Sequence, residues 1–531
     1  MERLSIKTEP LQDVIPAHKL IEQYLNRSLS HKEIINDYPS KEAFIEKAAQ
    51  RASEFKKAHR EVLVSALKKQ NKFVELSASS QQNIELLLDS DTVTIVTGHQ
   101  LNIFSGPLYS LYKIAHAIKV AKQLEVDAGR KVVPIFWMAT EDHDFEEIAS
   151  FKVFGKSYSW EEESSSRAVG RISNASISGL MEEVESLFEN DEKGKDLFTV
   201  FIEAYKKDNL SNAVRHYMNA LFGAYGLVIV DGDDQHLKQL FFPVVQAEIE
   251  SKVGFEYVRK SIKDYFDSYK VQVNPRALNL FYIEDDVRYR LDFEGDSVVA
   301  VGTQKKWSKE SFLEMAQHSP EAISPNVILR PVYQECILPN VAYIGGAGEI
   351  SYWLELKQAF EAFNISFPIP MVRNSVLLLD AKSKEKLTQF SLTVADLFEP
   401  IESLASRFIK AQVAEIELGE ERVMLKEMIQ ALNNRFETID KGLLSSLKGE
   451  EAKLFKSLEN LEKKANKAVK NQNSKLIKQL ERLRDKVLPS GTLQERKENV
   501  LSYYSRLPED WLTQIIEEMP AYESSFLEVI Y

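Results

Sequence analysis

The segment Asp91–Gly98, DTVTIVTG, restricts the fold more than any other. This β-branched apolar run is followed by a helical pattern over Gly106–Gly129, GPLYSLYKIAHAIKVAKQLEVDAG, and then by a second buried run, KVVPIFWMA. Strands that alternate with helices make βαβ units, and these build a parallel sheet covered on both faces. A third run, GLVIVDGDD (Gly226–Asp234), follows a helical stretch around Asp196–Tyr225. After it, HLKQLFFPVVQAEIESK reads as a helix bent or broken near Pro243, while Pro134 predicts an irregular ladder in the second run. NVAYIGGAGEISYWLELKQAFEAFN (Asn340–Asn364) returns to strand, glycine turn and helix. Between these units, Asn279–Gly302 alternates in short strands, predicting a small antiparallel insertion. Upstream of the first run, Phe44, Ala48, Ala52, Phe55 and Ala58 recur at helical spacing, and SSQQNIELLL adds another helix.

The last third changes period. Leu425, Ile429, Leu432, Phe436, Ile439 and Leu443 form a heptad seam. After KGEE, the seam continues through Leu454, Leu458, Leu461, Ala465 and Ala468, then Leu476, Leu480, Leu483 and Val487. Two long helices turning near Gly449 would make an antiparallel hairpin that packs on a second copy of itself or on the main body. The expected class is therefore α/β, with a parallel-sheet core, a small antiparallel insertion and a C-terminal α-helical antiparallel coiled coil. The expected domains are residues 1–380 with the insertion near 270–305, a coiled coil over 381–488, and a segment over 489–531 that packs back on the body.

Composition excludes several classes. The 531 residues include one cysteine, Cys336, so an internal disulfide and an all-cysteine metal site are both impossible, and zinc is not indicated. A formal net charge of −13 disfavours a nucleic-acid surface. The N-terminus lacks the unbroken apolar core of a signal peptide, and no stretch approaches the roughly 20 apolar residues that cross a bilayer. A cytoplasmic protein with no membrane partner is the expectation.

Ligands of an open parallel sheet lie beyond the carboxyl ends of its strands. Four segments qualify: TGHQ…SGPLY, ATEDHD, DGDDQH and IGGAGE. The first offers Gly98, His99, Gln100, Ser105, Gly106, Pro107 and Tyr109, with a helix start that suits an anion and Lys113 two turns in. It matches neither a P-loop nor a dinucleotide fingerprint, so a structural turn is equally compatible with it. In the second, Glu141, Asp142 and Asp144 surround His143, an arrangement suited to a metal, a substrate ammonium or acid–base work, or to a solvated capping turn. Gly345, Gly346, Glu349 and Tyr352 mark a glycine turn that either lines a ligand or simply reverses the chain. Just upstream, Arg330 and Gln334 could clamp a carboxylate or phosphate. Cys336 has no obvious base beside it and reads as a small buried residue. KKWSKES (Lys305–Ser311) is similar to an ATP-binding lysine-serine-lysine loop but precedes the last sheet strand, so it reads as a solvated helix start.

TGHQ…GPLYSLYK, VVPIFWMATEDHDFEEI, ILRPVYQECILPNVAYIGGAGEISYW and PSGTLQERKENV together resemble, in order and content, the cysteine-adding enzymes of bacillithiol biosynthesis, the BshC family. The resemblance covers nearly the whole chain. It implies ligation of L-cysteine to glucosaminyl-malate through an amide bond, with ATP as a substrate that activates the carboxyl and Mg2+ as its companion. It also implies a Rossmann-like core with an inserted connecting segment, and a homodimer formed through the coiled coil. On this reading Glu141, Asp142 or Asp144 accept the cysteine ammonium, His143 or one of those carboxylates takes the amine proton, and Arg330 holds a carboxylate. Many members of the family have Gln-Gln-Pro where this chain has His99-Gln100-Leu101, which assigns His99 to binding and not to proton transfer. Gly491, Gln494, Glu495 and Arg496 carry a family-typical motif whose position, far from the sheet loops, reads as a structural clasp or a second ligand site. A nucleotidyltransferase with another acceptor, and a nucleotide-binding assembly protein without turnover, are the competing functions.

Overall fold

A computed structural model describes residues 3–162, 166–404, 407, 417–440 and 442–531. Five strands form one parallel sheet: β1 (Val93–His99), β2 (Val132–Met138), β3 (Val228–Asp231), β4 (Asn340–Gly345) and β5 (Ile369–Val372), in the order β5-β4-β1-β2-β3. The chain builds outward from β1 to β3 and then returns to the other side of β1. The strand order therefore reverses between β1 and β4, which puts the crevice for a ligand beyond those two carboxyl ends.

Both faces are covered, as uninterrupted apolar strands require. Helix α1 (Tyr109–Ala128) lies on one face, where Ala117, Val120 and Leu124 meet Val93, Ile95, Ile344 and Phe44 of the helix Lys41–Glu54. Alternation along β2 sends Phe136 and Met138 into the core that holds Leu111, Ile114 and Ile118, and Trp137 to the opposite side. There its ring meets Tyr333 of α3 (Leu329–Ile337) edge-on at 5.5 Å, and Phe241 of α2 (Gln235–Ser251) packs on Tyr333. Helix α4 (Ala347–Ala362) follows β4 and stacks Trp353 on Tyr343. No helix among the described residues is long and apolar enough to cross a membrane.

Several local expectations change. Helix α1 begins at Tyr109, not Gly106, because Ser105 and Gly106 take positive φ. Helix α2 runs unbroken past Pro243. The β1–β2 register is continuous across Pro134, and the one irregularity in the sheet falls between Asn340 and Ala342. The antiparallel insertion extends beyond Gly302, taking in Lys306–Ser308 and Ile323–Pro325. Ser308 caps the helix Lys309–His318, as a helix start in KKWSKES requires.

The chain divides into two compact units, residues 1–380 with 493–531, and residues 381–492. In the first, Ser525–Ile530 pairs antiparallel with Ser5–Pro10 and parallel with Ser375–Leu379, joining both chain ends to one small sheet. The second contains α5 (Gly419–Glu437) and α6 (Gly442–Val487), an antiparallel pair linked by Arg422–Glu462 at 2.5 Å. The turn lies between the end of α5 at Glu437 and the start of α6 at Gly442, not near Gly449, which sits inside α6. Because α6 continues through Lys448–Glu451, its seam keeps the phase of Leu444 and Leu447. Phe455 and Leu458 therefore turn inward, while Leu454 and Leu461 are exposed along with Ile439 and Leu443. The side chain of Leu476 lies outside the described residues.

Candidate functional site

Beyond the carboxyl ends of β1, β2 and β4 lies a cavity of about 600 Å³, roofed by the antiparallel insertion. It sits where the strand order reverses. Six arginines line it against four acidic side chains, so the cavity is positive within an acidic protein. Its lining includes Gly98, His99, Gln100, Tyr109, Glu141, Asp142, His143, Arg330, Gly346, Glu349, Tyr352 and Arg496.

Glu349 organises the crevice between β1 and β4. It accepts from Tyr343 Oη at 2.9 Å, from Gly346 N at 2.9 Å and from Lys113 Nζ at 2.7 Å. Lys113 is buried, and it also donates to the Gly98 carbonyl, so it is a strut and not a solvated cation. Burial alone would raise the Glu349 carboxyl, but Lys113 and the Gly346 N–H hold it at about 2. Gly98 packs closely here: a Cβ would stand 3.3 Å from Tyr343 Oη, which would have to give by a few tenths of an ångström. Next to it, burial and then the charge of Lys113 lower His99 to about 3, leaving a neutral imidazole edge-on to Tyr109 at 5.0 Å. Its Nε2 is buried without a hydrogen-bond partner.

The acidic cluster divides in two. Glu141 pairs with Lys238 Nζ at 2.7 Å, and Lys238 pairs with Asp233 at 2.8 Å, itself gripped by both arms of Arg171 at 2.7 and 3.0 Å. Burial raises the Glu141 carboxyl against the pull of Lys238, and the Asp233 charge adds to the rise. Asp142 goes the other way. Burial opposes its charge, yet hydrogen bonds from His143 and Gln100 and the charge of Arg288 hold it below the usual carboxylate range. Gln100 Nε2 donates to Asp142, which leaves Gln100 Oε1 buried and unpartnered. His143 Nδ1 lies 3.2 Å from Arg288 Nη1. Asp144 is exposed, apart from the cavity lining, and caps the short helix Phe145–Ile148.

Arg330 lies among the rings of Trp137, Tyr343 and Trp353, 5.6 to 5.9 Å from their centres. Its Nη1 donates to Gln334 Oε1 at 3.1 Å, and its Nη2 is buried with no partner. Gln334 sits behind it, donating to Glu335 at 2.8 Å, so it positions Arg330 without reaching the cavity. Cys336 is pushed up to about 12 by burial and by Glu335, which keeps the thiol protonated.

Some expected residues are not brought to the cavity. Ser105, Gly106 and Pro107 form a buried turn whose Gly106 carbonyl accepts from Asn499 Nδ2 at 2.8 Å, while Leu108 N donates to the Glu498 carbonyl. The start of α1 is therefore taken by protein, not open to an anion. Gly345 is buried within the β4–β5 pairing. Gly491 belongs to the second unit. Gln494 clasps Leu378 through its backbone N–H and carbonyl, and Glu495 forks onto Arg373 at 2.6 and 3.0 Å. Arg496, expected far from the sheet loops, lines the cavity with its guanidinium 5.9 Å from the Tyr109 ring.

Sequence reasoning missed Arg276, Arg288, Arg290 and Arg373. Arg373 was within reach, since it follows a strand's carboxyl end, and Arg288 and Arg290 share one face of an alternating strand. Among the described residues, no group of three or more His, Cys, Asp or Glu side chains is placed to hold a metal ion.

Two family models account for almost the entire chain. The N-terminal Rossmann-like domain of bacillithiol biosynthesis BshC matches residues 1–374, and the C-terminal coiled-coil domain of BshC matches residues 376–530. The chain belongs to the BshC family. A relative from Flavobacterium johnsoniae, named "Putative cysteine ligase BshC", is 42% identical over 511 residues, covering 96% of each chain. Relatives of the same name from Cytophaga hutchinsonii and Bacillus cereus are 37% identical over 95% of both chains and 26% identical over 95% of this chain and 96% of the other. For this BshC-family chain, the reversal point of the Rossmann-like sheet and the arginine-lined cavity coincide.

Proposed function

We propose that the chain is an ATP-dependent ligase that joins the carboxyl of L-cysteine to the amine of glucosaminyl-malate, forming an amide in bacillithiol biosynthesis. The relatives' name supplies the reaction class. The observation that carries the site is a set of buried, unpartnered polar atoms of opposite character on residues that line one cavity: Arg330 Nη2, a donor, Gln100 Oε1, an acceptor, and His99 Nε2. Each such atom left unbonded costs about 1–3 kcal/mol, so a ligand that bonds them all is favoured. An amino-acid zwitterion fits, its carboxylate on Arg330 and its ammonium on Gln100 Oε1 and Asp142.

Activation by ATP, supplied as its magnesium complex, turns one carboxylate oxygen into a leaving group. The sugar amine then attacks the carbonyl carbon and must lose a proton. Glu141 is the fitting acceptor: its raised carboxyl binds a proton more readily than Asp142, whose charge is held by three neighbours. His99 stays a contact, neutral and hydrogen-bonding. The exposed Ile439, Leu454 and Leu461 on the coiled coil suit contact with a second copy, which sedimentation equilibrium would report as a dimer. Incubation with ATP, L-cysteine and glucosaminyl-malate, followed by mass analysis, tests the reaction. A cysteinyl amide is expected; its absence with folded protein refutes the ligase.

A further inference from the structure

We propose that Arg276 and Arg290 form a second anion subsite on the insertion side of the cavity, separate from Arg330, for an oligo-anionic group of the co-substrate. The identity of that co-substrate rests on the ligase reading; the subsite itself does not. Arg288 and Arg290 leave the strand Val287–Glu294 on one face, two residues apart. They differ in what they have left to offer. Arg288 is occupied by Ser324 Oγ at 3.2 Å, by the Pro325 carbonyl at 2.6 Å and by the Phe281 ring at 3.9 Å. Among the described residues, Arg290 forms one ion pair, with Asp292 at 3.7 Å, and its Nε is buried without a partner. Among the described residues, Arg276 has no carboxylate within ion-pair distance.

The backbone beneath Arg276 is built to hold it. The chain between Tyr265 and Leu280 contains no helix or strand, yet it is pinned at its middle and at its C-terminal end by buried acidic side chains. Glu355 of α4 accepts from Gln272 N at 2.7 Å and from Val273 N at 3.2 Å. Glu248 of α2 accepts from Asn279 Nδ2 at 2.8 Å; Asn279 in turn accepts from Arg276 N at 3.1 Å and donates to the Arg276 carbonyl at 3.0 Å. Burying two carboxylates is costly. Spending them on an irregular strap makes sense where the side chain it carries must be held in place for a ligand. Two guanidinium forks that line one cavity match carboxylate or phosphate oxygens. Both the dicarboxylate half of a malate-bearing acceptor and the phosphate chain of a nucleotide carry such oxygens.

Isothermal titration of the full chain with L-malate and, separately, with MgATP distinguishes these sources. Arg276→Gln and Arg290→Gln are each expected to weaken one of the two anions by about ten-fold or more, while L-cysteine binding stays within about two-fold. Loss for malate assigns the subsite to the dicarboxylate; loss for MgATP assigns it to the phosphates. Glu355→Ala, checked for folding by circular dichroism, is expected to weaken the same anion. If neither anion binds wild type at millimolar concentration, or both arginine variants bind as wild type does, the subsite is refuted. If the arginine effect holds while L-cysteine fails to bind wild type, the ligase reading fails and the subsite stands.

Discussion

Glu495→Gln removes one charge from a closed network, and its cost can be worked out from the bonds. The Glu495 carboxylate accepts from Arg373 Nη1 at 3.0 Å and Nη2 at 2.6 Å, from Ser375 Oγ at 2.6 Å and from Val376 N at 3.0 Å. Both ionic side chains are almost sealed, at 5% and 1% exposure, so water cannot replace the lost charge. An amide at 495 also turns one acceptor into a donor facing other donors. Breaking a buried pair in this way costs about 3–5 kcal/mol. Urea unfolding of the Rossmann-like unit, followed by tryptophan fluorescence, measures it. Glu518→Gln is the control, because its ion pair with Arg3 is long, at 3.9 Å, and exposed, and is worth less than about 1 kcal/mol. The double variant Arg373→Met/Glu495→Leu should recover much of the loss, since neither charge is then stranded. A loss below about 1 kcal/mol for Glu495→Gln, or a double variant less stable than the single, would refute the reasoning.

Three further outcomes follow from the site. Asp142→Asn should lower kcat/KM about 10–100-fold in protein that stays folded by circular dichroism, read by amide formation; unaltered turnover removes Asp142 from ammonium binding. Glu349 is depressed from 4.5 to about 2, so its stabilisation is complete above about pH 4.5 and is lost as pH falls towards 2. Urea midpoints across that window should drop more for wild type than for Glu349→Gln, and parallel slopes would contradict the pairing with Lys113. Gly106→Ala should cost stability and not ligand affinity, because Gly106 has φ +65° and a Cβ there would stand 2.6 Å from Asn102 Cβ; a calorimetric thermal midpoint matching wild type would argue otherwise.

The sheet was legible because apolar, β-branched runs have few alternatives to a strand covered on both faces, and the rule of carboxyl ends then pointed to His99, Glu141 and Glu349. Two kinds of feature were not legible. Lys113 reads by pattern as a solvated or anion-reaching lysine, and only tertiary pairing with Glu349 makes it a strut. Arg496 reaches the cavity because Glu495 and Gln494 are fastened to the segment Arg373–Leu378, a contact more than a hundred residues long that no local period encodes. The coiled-coil turn was misplaced for a local reason: Gly449 is tolerated inside α6, at about 1 kcal/mol relative to alanine, while α5 already ends at Glu437 and α6 begins at Gly442.

A crystal structure of the protein with L-cysteine tests the central claim most directly, that the cavity at the β1–β4 reversal point is where the amino acid is held. The carboxylate is expected within hydrogen-bond distance of Arg330 Nη2, with the ammonium against Gln100 Oε1 and Asp142. Cysteine bound elsewhere, with Arg330 Nη2 still unpartnered at saturating ligand, would contradict it.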